Sequence, residues 1–144
     1  SPDMHTPAGL LTRRPPDKRE QQDIDLGWSV AEQLGSLDIG QCLVIREGIV
    51  LAVEAIEGTD ATIRRGGTLG GPGAVVVKRP KAGQDRRLDL PAVGLETVQT
   101  MAEVGAGVLA IEAGQTLFFE RQKAVDFADR HGIAIIGRHV GPLI

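Results

Sequence analysis

The chain has 144 residues and a formal net charge of −3. This bounds it to one domain with one hydrophobic core and argues against duplex nucleic acid as a partner. Tyrosine is absent and the other aromatics are few, so Val, Ile, Leu and Ala must build the core. No apolar run is long enough to cross a bilayer, and a single cysteine, Cys42, excludes an internal disulfide and fits a reducing compartment. The first residues lack the basic start and apolar stretch of a signal peptide. They begin with Ser rather than Met, as a processed product or an excised piece would.

Residues 1–16 are rich in Pro, Gly and Thr and read as an exposed arm or linker, leaving 17–144 as a single α/β domain. Pro15-Pro16-Asp17 opens a helix to about Leu34, with Asp17 as N-cap and Ile24, Trp28, Ala31 and Leu34 along one apolar face. Strands follow at Cys42–Arg46 and Ile49–Glu54, separated by a Glu47-Gly48 turn. Gly58-Thr59-Asp60 starts a short helix through Arg65, and residues 66–73 read as a glycine loop. Ala74–Lys78 is a strand, 78–87 a basic connection and Leu88–Leu90 a brief strand. Leu95–Val104 is a helix, with Gly105 just beyond its end. Val108–Glu112 is a strand with Gln115–Phe119 as its partner, Gln122–His131 a helix with Val125 and Ala128 inward, and Ile133–Gly137 a last buried strand. Alternating strands and helices predict an α/β fold, and the hairpins predict a mixed parallel and antiparallel sheet.

Three acids crowd the end of one buried strand: Glu54 closes it, Glu57 lies in the turn and Asp60 in the first helical turn. Neighbouring carboxylates repel unless a cation, a basic side chain or water separates them, and oxygen ligands of this kind suit Mg²⁺ beside substrate phosphates. The helix opening at Thr59 also offers free N–H groups to a phosphate. The plain structural alternative is a Thr59 cap, with Asp60 stabilising the helix dipole by about 0.3–1 kcal/mol. Lys78, Arg79, Lys81, Arg86 and Arg87 could wrap a diphosphate, or form a solvated loop. In Leu88-Asp89-Leu90-Pro91, an acid flanked by leucines needs a partner once desolvated, which makes Asp89 a candidate metal ligand or general base. Glu112 ends another strand, where α/β sheets bind ligands, though an ordinary turn would read the same way. His5, His131 and His139 are weak signals, and Cys42 reads as a small core residue.

Several of these stretches, in order, resemble the LpxI family. They are Val50–Asp60 with Arg64-Arg65; Lys78, Lys81 and Gln84-Asp85-x-Arg87-x-Asp89-Leu90-Pro91-x-x-Gly94; and Leu109–Gly114. The likeness runs from about residue 9 onward and corresponds to the family's carboxy-terminal half. Members are bacterial UDP-2,3-diacylglucosamine pyrophosphatases of lipid A biosynthesis. The resemblance implies a two-domain enzyme enclosing a UDP-linked glycolipid, with water attacking the α-phosphorus to give UMP and 2,3-diacylglucosamine 1-phosphate. It also implies Mg²⁺ or another divalent cation such as Mn²⁺ or Co²⁺, and places the essential aspartate at Asp89. The reading that follows assigns Glu54, Glu57 and Asp60 to the metal and Thr59, Lys78, Lys81, Gln84, Arg87 and Glu112 to the substrate. It expects a cytoplasmic location with peripheral contact at the inner membrane, a missing amino-terminal domain, and self-association through apolar faces left bare. Ala82 and Glu120 depart from the family's usual proline and aspartate. The rival reading is a non-catalytic lipid- or nucleotide-binding or assembly domain.

Overall fold

The structure, a computed structural model, describes residues 3–81 and 90–139. In chain order these form β1 (Gly9–Leu10), α1 (Lys18–Ser36), β2 (Cys42–Arg46), β3 (Ile49–Val53), α2 (Thr59–Gly70) and β4 (Val75–Lys78). They continue through β5 (Ala92–Val93), α3 (Leu95–Val104), β6 (Val108–Glu112), β7 (Leu117–Phe118), α4 (Arg121–Arg130) and β8 (Ala134–Arg138). The main sheet has the order β1-β8-β6-β4-β2-β3, and β5 and β7 make a separate two-stranded sheet. Its centre, β4-β6-β8, is parallel, while β2 and β3 on one side and β1 on the other are antiparallel to their neighbours, so the sheet is mixed as expected.

Helices cover both faces. Ile24, Trp28 and Ala31 of α1 pack with Leu43, Ile45, Val75 and Val77. On the other face Ile63 of α2, Val98 and Met101 of α3, and Ala124 and Ala128 of α4 pack with Val44, Val76, Leu109, Ile111 and Ile135. The i, i+4 pair Ala124 and Ala128, rather than Val125, turns α4 inward. A strand covered on both faces has no polar face, hence the unbroken apolar runs of β4 and β6. α1 begins with a reciprocal capping box: Glu20 N donates to Asp17 Oδ1 (2.8 Å) and Asp17 N donates to Glu20 Oε1 (2.9 Å). Between β2 and β3, Glu47 and Gly48 both take positive φ, 52° and 79°. That is the two-residue turn whose twist matches a hairpin, and the Asp23 carboxylate accepts from both of its N–H groups.

Three expectations are corrected. Residues 3–14 are not a free arm: β1 pairs with β8, Thr6 N donates to Thr116 O, Gly114 N donates to Thr6 O, and Arg14 is bonded to Glu20 and Gly107 O. Proline-rich composition is compatible with an edge strand, which needs few N–H donors. Second, Gln115–Phe119 does not pair back on β6; β7 runs parallel to β5, because Gly114 carries the chain out of the main sheet.

Third, residues 66–70 continue α2 rather than forming a loop. Their glycines are a packing face. A methyl group at Gly66 would lie 2.5 Å from Val44 Cβ, one at Gly67 would overlap the Val104 side chain, and one at Gly70 the Leu51 side chain. Gly67→Ala should therefore destabilise the fold by about 1–3 kcal/mol through overpacking, although alanine is about 1 kcal/mol the better helix former. A lower urea midpoint at unchanged slope would report it; a raised midpoint would show that helix propensity outweighs the clash. The brief strand expected at 88–90 lies outside the described residues except for Leu90, which is not in a strand.

Candidate active site

The sheet's connectivity places three helix starts at one edge. The chain leaves β3, β4 and β6 at the carboxyl edge of the parallel strands, and α2, α3 and α4, which lead it back, start near that edge. A pocket of about 380 Å³ opens there, within the size range of small-ligand sites. Its lining includes Thr59 and Asp60 at the start of α2, Gly94–Thr97 at the start of α3, and Phe119 and Glu120 just before α4, with Lys78 and Ala92-Val93 completing it. The N-cap residues of α2, α3 and α4 make no side-chain bond to their first turns, in contrast to Asp17 on α1; at α3 the reverse half of a box is present, Gly94 N donating to Thr97 Oγ1 at 3.2 Å. First-turn N–H groups have no partner within their own helix and carry partial positive charge. The first turns of α2 and α3 border the cavity, and α4 reaches it through its N-cap residue Glu120.

Lys78, the last residue of β4, is only 7 % exposed. Its Nζ donates to Ala92 O at 2.8 Å, and no carboxylate of the described residues lies within ion-pair distance of it. Burial lowers its proton affinity below the usual lysine value, and the more distant charges of Glu54 and Asp60 only oppose this. Cys42 opposes Lys78 across the β2–β4 pair; burial pushes its thiol up to about 12, so it is an inert core group.

The three acids take separate places. Glu54 accepts from Gln41 N (3.0 Å) and from Thr59 Oγ1 (3.3 Å). Gly40 lies so close to the Glu54 carbonyl that no side chain fits there, which fixes the two loops together. Glu57 accepts from Arg65 Nη2 (2.6 Å), Ala55 N and Thr62 Oγ1. The Arg65 guanidinium holds the Glu57 carboxyl down at about 2. Asp60 makes no side-chain hydrogen bond among the described residues and borders the pocket. No group of three or more His, Cys, Asp or Glu among the described residues is arranged to hold a metal ion.

A depressed carboxylate stabilises the fold above its unfolded value near 4.5, and that contribution is lost as pH falls towards 2. Arg65→Ala should return Glu57 to the ordinary carboxylate range. Carboxyl-carbon NMR titration reads this directly; a Glu57 midpoint still near 2 would mean that the backbone N–H bonds alone suffice.

Glu54, Thr59, Asp60 and Lys78 thus meet at one sheet edge. Lys81 lies beyond Pro80 and pairs with Asp38 at 3.4 Å. Glu112 is on the α1 face, opposite to the pocket, and accepts from Arg79 Nε (3.1 Å) and Nη2 (3.0 Å). Gln84, Arg87 and Asp89 lie outside the described residues. Residues 92–97 and 119–120 were not singled out as a site. Gly94 ahead of the Leu95 helix was the available signal, since a glycine N-cap leaves the first turn open to an anion.

The sequence from residue 7 to residue 136 matches the family model described as the LpxI C-terminal domain. The chain belongs to that family. It is also 39% identical, over 145 residues, to the UDP-2,3-diacylglucosamine pyrophosphatase LpxI of Caulobacter vibrioides, an alignment covering 94% of this chain and 51% of that protein. The chain therefore spans about half the length of the curated relative it matches. Family membership and the mixed α/β fold agree with the expectations from sequence. Among the described residues, no helix is long and apolar enough to cross a membrane.

Proposed function

We propose that this chain forms the carboxy-terminal half of the active site of a UDP-2,3-diacylglucosamine pyrophosphatase, cleaving the substrate to UMP and 2,3-diacylglucosamine 1-phosphate. The observation that carries the reading is Lys78, a buried ammonium with no carboxylate of the described residues in ion-pair distance, lining a pocket bordered by the starts of α2 and α3 and the N-cap of α4. A buried charge requires compensation, and a phosphate supplies it while accepting from the free N–H groups.

Hydrolysis of a phosphoanhydride needs its non-bridging oxygens neutralised and a water held in line with the bond that breaks. Lys78 and the helix starts serve the first need. Asp89 is assigned the second, orienting or deprotonating the water, and Gln84, Arg87 and Lys81 of the same chain segment are assigned to the remaining phosphate oxygens. Mg²⁺ is commonly held by one or two carboxylates together with substrate phosphates; of Glu54, Glu57 and Asp60, we assign this role to Asp60, which borders the pocket, and Mn²⁺ or Co²⁺ would bind alike. A bound cation would add further charge neutralisation on the phosphates. The substrate's acyl chains imply contact with a membrane surface on the cytoplasmic side.

The test is UMP release from UDP-2,3-diacylglucosamine by this chain alone and by this chain joined to the uncovered half of the Caulobacter relative, with and without Mg²⁺. Release by the joined form in Mg²⁺ is expected. The second reading is a binding or assembly module. Substrate binding without UMP release in either form would establish that reading instead.

A further inference from the structure

β4 ends in two consecutive buried cations that face opposite ways. Lys78 enters the pocket on the α2–α4 face; Arg79, 5 % exposed, enters the α1 face. Their environments differ in kind. The Arg79 guanidinium puts Nε and Nη2 on Glu112 Oε1 and Nη1 on Trp28 O (3.0 Å), lies 3.7 Å from Glu32, and stacks 4.5 Å from the centroid of the Trp28 ring. Arg138 covers the same ring at 5.2 Å while paired with Asp25 at 2.8 Å. Glu112 ends β6, the next strand. The pair therefore joins the ends of two neighbouring strands. A buried ion pair is a poor source of stability, since well-packed apolar residues of similar volume often do as well or better; fixing one arrangement against another is its better-attested use.

One alternative arrangement is evident here. Side chains alternate faces along a strand, and a twist or slip by one residue at its end exchanges them. Lys78 is the last residue of β4 with a ladder partner, and Pro80, two residues on, has no N–H to prolong the ladder. Past Lys78 one main-chain tie remains on the β2 side, where Arg79 N donates to Gln41 O at 2.8 Å, and the Arg79 side chain adds a second on the β6 side. The five donors of a guanidinium, held in a planar fork, can anchor such an end; a lysine's cannot.

We propose that the Arg79–Glu112 pair is a positioning device that locks the end of β4 so that Lys78 faces the anion pocket. The inference rests on the reading of that pocket as a phosphate site, and its test does not depend on catalysis. Inorganic pyrophosphate is titrated calorimetrically into this chain and into Arg79→Met/Glu112→Leu, Lys78→Met and the triple variant, with thermal melts of each. The paired variant should melt within a few degrees of the parent and bind pyrophosphate about tenfold more weakly. On the Lys78→Met background the same pair should change affinity by less than about twofold, because the lysine it positions is already gone. Arg79→Lys should resemble the paired variant in binding. Parent-like affinity in the paired variant, losses that multiply on the Lys78→Met background, affinity lost only in step with the melting temperature, or no pyrophosphate binding by the parent would each overturn the proposal. UMP release by the joined form decides the pyrophosphatase reading separately: a parent that binds pyrophosphate but releases no UMP removes that reading and leaves the positioning role standing.

Discussion

Lys78→Met should cost the joined, active form on the order of a hundredfold or more in turnover, the scale seen when one preorganised donor to a developing anion is removed. The same substitution should leave the fold as stable as the parent or more so. Methionine fills the lysine's volume without placing an ammonium in the interior, and the only described bond lost is the one to Ala92 O. The sign of the pH dependence follows from burial, which puts the folded-state value of Lys78 below 10.5. Between the folded value and 10.5 the unfolded chain binds the extra proton, so parent stability rises with pH across that window and levels off above it. Lys78→Met should lack this rise. Turnover with UDP-2,3-diacylglucosamine and denaturant midpoints from neutral to alkaline pH give both answers. A variant within a few-fold of parent turnover would remove Lys78 from the site.

Asp89→Ala should reduce turnover by about a hundredfold or more, several kcal/mol of transition-state stabilisation, with substrate binding and fold largely retained. The expectation comes from the Asp-Leu-Pro motif together with one structural fact. Leu90 and Pro91, the next residues, lead directly into β5, whose Ala92 and Val93 form part of the pocket wall beside Lys78. Lys78, eleven residues before Asp89, lines the same pocket. Equal losses in kcat and kcat/KM would place the carboxylate on the transition state; a rise in KM alone would make it a ground-state contact. Turnover near the parent's would exclude it from the mechanism.

Much of this fold could be read in advance because its strongest segments carry unambiguous periods. Cys42–Arg46, Leu95–Val104 and Val108–Glu112 have the bounds read from sequence. The failures have physical causes. Gly66, Gly67 and Gly70 look the same whether glycine loosens a loop or lets a helix approach Val44, Val104 and Leu51, and only the neighbours distinguish the two. Lys78 and Glu112 both end central strands, and sequence gave both to the substrate. The structure puts them on opposite faces, because strands buried on both sides offer no polar alternation from which to read direction. Arg79 was visible as one of several cations; its pairing with Glu112 and Trp28 depends on α1 lying against β4 and β6. The pocket's remaining wall, Gly94–Thr97 with Phe119 and Glu120, joins three helix starts that are far apart in the chain, a coincidence of topology that no single motif encodes.

The two borders of the main sheet are unlike. On the β8 side, the chain's own early residues are laid down as β1, so the outermost strand there is two residues long and too short to template much. On the other side β3 is five residues long, has no further neighbour among the described residues, and exposes Ile49 and Val50. Among the described residues, the longer row of backbone donors and acceptors open to an extra strand is at that border. Lateral growth of this sheet is thus polar among the described residues: the amino-terminal segment shortens one flank to two residues, and the Glu47-Gly48 hairpin presents a five-residue strand at the other.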